Sequence, residues 1–136
     1  MVKEKSAHVA HHVWIIDDDA FLLEMYALKF TQQGFQVTTS SGAAEALEKM
    51  RAGEPVEIIL VDLVMPAMDG FAFLEQLQKD RLTKKTLAIV LSNLGQEEDV
   101  ARAQALGAAG FIIKASATPS EVVDRVLAVI EKNTSA

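Results

Sequence analysis

The sequence predicts an α/β fold in which short parallel strands alternate with helices around one sheet. Apolar runs of strand length alternate five times with longer segments that have helical periodicity. The last three runs are nearly continuous Ile, Leu, Val and Phe, which is typical of parallel strands covered on both faces. Since such strands are joined by right-handed crossovers, the alternation predicts a parallel sheet whose connections are helices.

Turn residues and charges at the ends of these segments predict the limits of each element in order. The strands are expected at residues 13–17, 35–39, 57–62, 87–92 and 110–114. The helices are expected at residues 20–33, 43–52, 71–80, 96–106 and 120–132.

The helix boundaries have specific residues that favour them. Gly34, Gly53 and Gly107 fall where the first, second and fourth helices should end, because glycine tolerates the left-handed backbone angles of a helix end. Asp19 is expected to cap the first helix. Thr118 followed three residues later by Glu121 predicts a capping box at the start of the last helix.

Length and composition are those of one globular domain. The chain has 136 residues, of which 50% are hydrophobic and 24% are charged, so one core can use most of the chain. We expect a loose leader at residues 1–12, the domain at residues 13–132 and a short tail at residues 133–136. This division leaves no room for a separate output domain.

Charge and residue usage exclude several functional classes. A formal net charge of −6 argues against direct DNA binding, which needs a basic face. The absence of cysteine excludes disulfides and thiolate metal sites, and it fits a cytoplasmic protein. No apolar run approaches the ~20 residues that span a bilayer, and residues 1–6 lack a signal peptide's apolar stretch. We therefore expect no association with a membrane.

Acidic side chains follow two of the predicted strands. Asp17 and Asp18 follow Val13–Ile16, and Asp62 follows an Ile-Ile-Leu-Val run. If these strands are parallel neighbours, the three acids meet at one sheet edge, where unpaired buried charge would be costly. A hard cation such as Mg²⁺ would stabilise the cluster and leave one carboxylate as a nucleophile. We expect Asp18 to bind the ion directly and Asp17 to act through water.

A hydroxyl and an ammonium group follow the last two strands. Ser92 alone would most simply cap the next helix, and Lys114 alone could reach solvent from the strand end. Together they are what a phosphoryl acceptor needs, since they can hold the non-bridging oxygens of the phosphoryl group.

These motifs resemble the receiver domain of two-component response regulators of the chemotaxis-regulator type. The resemblance covers residues 13 to 132 and rests on Asp17-Asp18, Asp62, the segment Met65-Pro66-Ala67-Met68-Asp69-Gly70, Ser92 and Lys114. It implies a flavodoxin-like, doubly wound, five-stranded parallel sheet in a three-layer (βα)5 sandwich.

The resemblance also implies a phosphorylation switch. Asp62 would accept a phosphoryl group from a histidine kinase or a phosphotransfer protein, with Lys114 as its catalytic partner. The implied Mg²⁺ ligands are Asp17, Asp18, Asp62 and the backbone carbonyl of Val64. Ser92 and Phe111 would move on phosphorylation and change a surface that docks a downstream protein. The chain would catalyse only its own phosphorylation and dephosphorylation.

The sequence departs from the usual receiver pattern at several positions. Ala115 follows Lys114 where proline is usual, and we favour a trans bond because a cis non-proline bond costs about 2.5–4 kcal/mol. Asn93 replaces a small residue and is expected to narrow access to Asp62. Val64 and Leu94 stand where polar residues could orient an attacking water, so slow self-dephosphorylation is expected.

The fifth strand lacks the acidic pair of receivers that dimerise through their fourth and fifth helices. Ala108 and Ala109 open this segment, which disfavours that salt-bridged dimer and leaves other dimers open. We expect a monomer or a weak dimer.

Other functions fit the sequence less well. An aspartyl-phosphate phosphohydrolase commonly has a second acid where Val64 stands, and Asp17 to Asp19 would repel the phosphate of a flavin. A pseudo-receiver that docks partners without phosphate is the remaining alternative. His8, His11 and His12 have a spacing that could bind Zn²⁺ or Ni²⁺ from a helix, although a loose leader is the better account.

Overall fold

The computed structural model describes residues 11–54, 56–80 and 85–134. Within these ranges five strands form one sheet. The strands are β1 (His12–Ile16), β2 (Gln36–Ser40), β3 (Ile58–Val61), β4 (Leu87–Ser92) and β5 (Gly110–Ile113).

Helices follow the strands in regular alternation. They are α1 (Ala20–Gln32), α2 (Ala43–Arg51), α3 (Gly70–Lys79), α4 (Glu97–Ala105) and α5 (Pro119–Thr134), with a 3₁₀ turn at Lys114–Ser116. None of the helices in the described ranges is both long and apolar enough to cross a membrane.

The sheet has the strand order β2-β1-β3-β4-β5, and every neighbouring pair is parallel. The chain moves outward from β1 to β2 and then returns across β1 to β3, so the direction of winding reverses beside β1. Ligands of open α/β sheets bind where this reversal occurs, outside the carboxyl ends of the strands. The predicted α/β, doubly wound, five-stranded parallel sheet is confirmed.

Alternation along the strands divides the core into two layers. Trp14 and Ile16 of β1 contact the cluster formed with α2, α3 and α4, whereas Val13 and Ile15 contact the cluster formed with α1 and α5. Because both faces of the central strands are covered, β3 is buried over its whole length, in agreement with its uninterrupted apolar sequence.

The residues predicted to end and begin helices have those positions. Gly34, Gly53 and Gly107 have φ values of 91°, 103° and 97°. Thr118 and Glu121 form the expected reciprocal box, with N–H to side-chain oxygen distances of 2.8 Å and 3.2 Å. The backbone N–H of Thr118 holds the pKa of Glu121 below its ordinary value. The bonds confirm the predicted start of α5.

The histidines at the start of the domain are placed differently from the sequence prediction. His12 is the first residue of β1, and the carbonyl of His11 accepts a hydrogen bond from Gln36 N at 2.8 Å. Strand pairing therefore holds both residues, and the loose leader and the helical metal site are wrong for His11 and His12. His8 lies outside the described residues. At the other end, α5 continues to Thr134, so the start of the predicted tail is helical.

Helix α4 is the least buried of the described helices. Of its nine residues only Ala103 is buried, because its sequence consists mainly of alanine and charged residues. The guanidinium of Arg102 lies 4.1 Å from the centroid of the Phe71 ring and so attaches α4 to α3. A helix with so little buried apolar area is more easily displaced than its neighbours.

The loop between β3 and α3 makes a close backbone approach at Gly70. A Cβ atom built there would lie 2.3 Å from the carbonyl oxygen of Asp62 and 2.7 Å from Cα of Leu63. The N–H of Gly70 also donates to the carbonyl of Leu63 at 3.0 Å. Only glycine fits this contact without moving the backbone that carries Asp62.

We predict that Gly70→Ala lowers the free energy of unfolding by about 2–3 kcal/mol, because the new methyl group overpacks against backbone atoms. Gly42→Ala is the matched control, since nothing lies within 4 Å of a Cβ there. The control should change stability by less than about 1 kcal/mol. Urea unfolding of both variants measures the difference, and equal effects would contradict the prediction.

Candidate functional site

The acidic residues meet at the carboxyl edge of the sheet because β1 and β3 are parallel neighbours. Ile16 pairs with Val61, and the N–H of Asp62 donates to the carbonyl of Ile16 at 3.1 Å. Asp17 and Asp62 directly follow these two strands, so they lie side by side at the edge of the sheet.

The three acids differ in their exposure to solvent, and consecutive Asp17 and Asp18 differ because successive side chains lie on opposite sides of the chain. Asp17 is 2% exposed and Asp62 is 7% exposed, whereas Asp18 is exposed to solvent. One carboxylate oxygen from each of the three lies within 4.8 Å of the others. Asp19 also lines the cleft, and its Oδ1 accepts from Leu22 N at 3.1 Å and caps α1, as predicted.

Lys114 supplies the positive charge of the cluster. Its Nζ lies 2.6 Å from Oδ2 of Asp17 and 3.1 Å from Oδ2 of Asp62. Burial alone would lower the pKa of Lys114, but hydrogen bonds and the charges of both carboxylates outweigh burial and raise it. The ammonium form therefore stabilises the fold fully below the unfolded pKa, and this contribution is lost as pH rises through the higher folded pKa.

Asp17 has the opposite balance. Burial raises the pKa of Asp17 despite its bonds to Lys114 and to the N–H of Asp19. A raised carboxyl pKa means that the fold disfavours the charged form, so this residue destabilises the protein as pH rises through the shifted value. Independently of this shift, the site has three carboxylates and one ammonium group, so its formal charge is negative.

Ser92 lies at the end of β4 and is fully buried. Its Oγ accepts a hydrogen bond from Leu94 N at 3.3 Å. Together with the three acids, Ser92 and Lys114 line a cleft of about 550 Å³. The structure therefore brings together the side chains that the sequence placed at the ends of four separate strands.

Part of the rim of this cleft is apolar. Leu22, Val64 and Leu94 line it, and Val64 and Leu94 are 59% and 37% exposed. Leu22 did not stand out in the sequence, because a leucine in the first turn of α1 looks like any core residue of that helix. At these three positions no side chain offers a polar group that could hold a water near Asp62.

Two predicted residues stand at the edge of the site. The N–H of Val64 donates to Oδ1 of Asp62 at 3.3 Å, so the backbone of Val64 is next to the carboxylate. Phe111 does not line the cleft. It is half-buried on the edge strand β5, paired with Val90, and packs against the α2, α3 and α4 layer.

The loops after β4 and β5 are joined above the cleft. The peptide bond between Lys114 and Ala115 is trans, as favoured from the sequence. The N–H of Ala115 donates to Oδ1 of Asn93 at 2.9 Å. The sequence did not predict this bond. The one signal for it was the residue other than proline after Lys114, which leaves a backbone N–H free to donate.

The donor set fits a small divalent cation. Three carboxylates with oxygen atoms within 4.8 Å of one another offer the hard, anionic ligands that Mg²⁺ prefers. Asp18 is the member that is open to solvent and has no ion pair with Lys114 in the structure, so it is the carboxylate that an ion could engage without displacing the lysine.

Comparisons with known proteins agree with this geometry. The family model for the response regulator receiver domain matches residues 13–127. The chemotaxis protein CheY of Bacillus subtilis is 33% identical over 125 residues, which are 91% of this chain and 98% of that protein. The chemotaxis protein CheY of Treponema pallidum is 29% identical over 130 residues, covering 94% of this chain and 88% of that protein.

Solved structures have the same fold. A chain of the CheX–CheY–BeF3–Mg²⁺ complex from Borrelia burgdorferi is 30% identical, with a TM-score of 0.82 and 93% of each chain covered. A sequence relative, the transcriptional regulatory protein PhoB of Escherichia coli, is 28% identical to this chain, and the match spans 53% of the length of PhoB. With the acidic cleft at the expected sheet edge, the chain belongs to the response regulator receiver domain family.

Proposed function

We propose that this chain is a stand-alone receiver switch that accepts a phosphoryl group on Asp62. The observation that carries the proposal is the position of the Asp62 carboxylate, which lies 3.1 Å from Nζ of Lys114 and has an oxygen within 4.8 Å of carboxylate oxygens of both acids that follow β1. The alignments to two chemotaxis proteins cover 88% and 98% of those relatives, which supports the stand-alone part. Receiver domains are signalling modules, so no separate substrate is expected.

The donor is a phosphohistidine of a histidine kinase or a phosphotransfer protein. An oxygen of Asp62 attacks phosphorus, the P–O bond forms and the P–N bond breaks. The electron pair of that bond stays on the imidazole, which takes up a proton. Lys114 and the hydroxyl of Ser92 then hold non-bridging oxygens of the new acyl phosphate, since both line the same cleft.

Receiver domains bind Mg²⁺ at an aspartate cluster, and here Asp17, Asp18, Asp62 and the carbonyl of Val64 would hold it. When bound, the ion offsets the charge of the carboxylates and of the incoming phosphoryl oxygens. Asp17 orients Lys114 through their 2.6 Å ion pair, and Asp62 stays in place through its bonds to Lys114 and to the N–H of Val64.

The same residues couple phosphorylation to a change of surface. Ser92 would move toward the phosphoryl group, and Phe111, which is only half-buried, would turn inward into the space that Ser92 leaves. Helix α4 lies beside this path and has one buried residue among the nine described, so it offers little resistance. The downstream protein then docks on the changed surface. The CheX–CheY complex is a solved example of a related chain bound to another protein.

The remaining parts of the proposal concern the setting of the switch. We propose a cytoplasmic protein, with which the absence of cysteine is compatible. We also propose a monomer or weak dimer that does not bind DNA directly, in keeping with the net charge of −6.

We predict that acetyl phosphate and Mg²⁺ convert the protein to a singly phosphorylated form that hydroxylamine reverses, as an acyl phosphate requires. Asp62→Asn should abolish the mass increase, because an amide oxygen is a far weaker nucleophile than a carboxylate. Asp69→Asn is the matched control from the same loop, since an asparagine also caps α3. Intact-protein mass spectrometry measures both, and a persistent mass increase in Asp62→Asn would reassign the acceptor.

We predict that Mg²⁺ raises the melting temperature of the wild type and that Asp18→Asn abolishes the increase. A ligand that binds only the folded state adds about 1.4 kcal/mol at ten times its Kd. Asp19→Asn removes the same charge one residue away but keeps a side chain that can cap α1, so it should respond like the wild type. Melting curves with increasing Mg²⁺ test this, and equal loss in both variants would mean that only net charge matters.

We predict that the Val64→Asn, Leu94→Glu double variant loses its phosphoryl group about tenfold faster than the wild type. Polar groups at the rim can orient water and accept its proton, and a positioned proton acceptor contributes at least this factor. Leu127→Glu is a control in which a leucine of equal exposure, 38% against 37%, is changed far from the cleft. The decay of the phosphorylated form is followed by mass spectrometry after the donor is removed. An unchanged or longer half-life in the double variant would contradict slow self-dephosphorylation by the apolar rim.

A further inference from the structure

The turn that carries Lys114 is weakly held by its own hydrogen bonds. The 3₁₀ turn closes with Ala117 N donating to the carbonyl of Lys114 at 3.3 Å, and Ser116 Oγ donates to the carbonyl of Ile113 at 3.2 Å. Both distances are at the long end of the range for good hydrogen bonds. The strand before this turn, β5, has four residues and lies at the edge of the sheet. The backbone at Lys114 therefore depends on contacts with other segments of the chain to stay in place.

The loop after β4 gives that support through two contacts. Oδ1 of Asn93 accepts the N–H of Ala115 at 2.9 Å, which is the shortest hydrogen bond described for the turn. Gly95 packs so closely on β5 that a Cβ atom there would lie 2.6 Å from Cδ1 of Ile113. The N–H that Asn93 accepts belongs to the peptide group between Lys114 and Ala115. The hydrogen bond therefore fixes the orientation of that peptide.

This hydrogen bond depends on two departures from the usual receiver sequence that complement each other. A proline after Lys114 would have no N–H, and a small residue at position 93 would have no acceptor that reaches the turn. Asparagine and alanine at these positions create the donor and the acceptor together. The trans peptide after Lys114 is thus held by a side chain instead of by a proline ring.

We propose, on the basis of the proposed phosphoryl transfer, that Asn93 is a positioning residue that holds the Lys114–Ala115 peptide so that Nζ of Lys114 stays between Asp17 and Asp62. Asn93 acts through Ala115 and Lys114 and does not need to touch the phosphoryl group. Removal of its acceptor lets the turn relax and lets the ammonium group leave Asp62, the weaker of its two partners at 3.1 Å against 2.6 Å.

The experiment compares the wild type, Asn93→Leu, Ala115→Pro and the double variant. Leucine keeps the bulk of asparagine at the mouth of the cleft and lacks the acceptor, so a change in access is not mistaken for a change in positioning. Ala115→Pro removes the donor, and the residue before proline is itself restricted. The effect of Asn93→Leu is therefore compared within each background, as in a double-mutant cycle.

Three readouts follow in the 136-residue chain labelled with ¹⁵N. Asn93→Leu should speed hydrogen exchange at the Ala115 amide about three- to tenfold, the range expected for one lost hydrogen bond. It should weaken or shift the ζ-ammonium signal of Lys114 in the Mg²⁺-free protein. It should slow phosphorylation of Asp62 by acetyl phosphate by a similar factor, and it should have no further effect on phosphorylation in the Ala115→Pro background.

Several outcomes would overturn the proposal. Unchanged exchange at Ala115 in Asn93→Leu would show that the hydrogen bond does not hold the turn. Equal slowing of phosphorylation in the wild-type and Ala115→Pro backgrounds would show that Asn93 acts by another route, such as access to the cleft. A wild type that never takes up phosphate would refute the proposed function instead, while the Ala115 and Lys114 signals would still decide whether Asn93 positions the lysine.

Discussion

The arrangement of the cleft depends on the ion pairs that Lys114 makes with Asp17 and Asp62. Two buried carboxylates at the ends of adjacent parallel strands repel each other, and each loses hydration. A single ammonium group bonded to both makes their proximity tolerable in the folded protein. With Asp18 beside them, one positive charge faces three negative ones, so the cleft retains a negative charge that a divalent cation can offset. The residues whose charges are partly balanced at this edge are therefore the residues that would react there.

Much of this arrangement could be predicted from the sequence, because it follows from backbone geometry. Apolar runs identified the strands, and parallel pairing requires the residues that follow them to lie at one edge. The proximity of Asp17 and Asp62 needs only that pairing and one shared register, which Ile16 and Val61 provide. The cap at Asp19 and the box at Thr118 are local in sequence, and for that reason their sequence signals were sufficient.

The parts that could not be predicted depend on side-chain torsions or on pairing between distant segments. The sequence placed Lys114 at the site but could not show that Nζ lies closer to Asp17 than to Asp62. The bond from Ala115 to Asn93 joins residues 22 positions apart through an exposed loop, for which no periodicity exists. His12 has no strand signal of its own. It lies in β1 because Gln36 and Glu57 bind the backbone around it, with Glu57 Oε1 3.0 Å from His12 N.

One hydrogen bond in the core links the single tryptophan, an intrinsic fluorophore, to a residue beside the acidic cleft. Trp14 is the only tryptophan in the sequence, is fully buried, and donates its Nε1–H to Oγ of Ser40 at 2.9 Å. The carbonyl of the same serine accepts the N–H of Asp17 at 3.2 Å, so the indole is two hydrogen bonds away from the acidic cleft. Since indole emission responds to the polarity and hydrogen bonding around the ring, intrinsic fluorescence can follow events at Asp17 in the unlabelled protein, with no second tryptophan to obscure the signal.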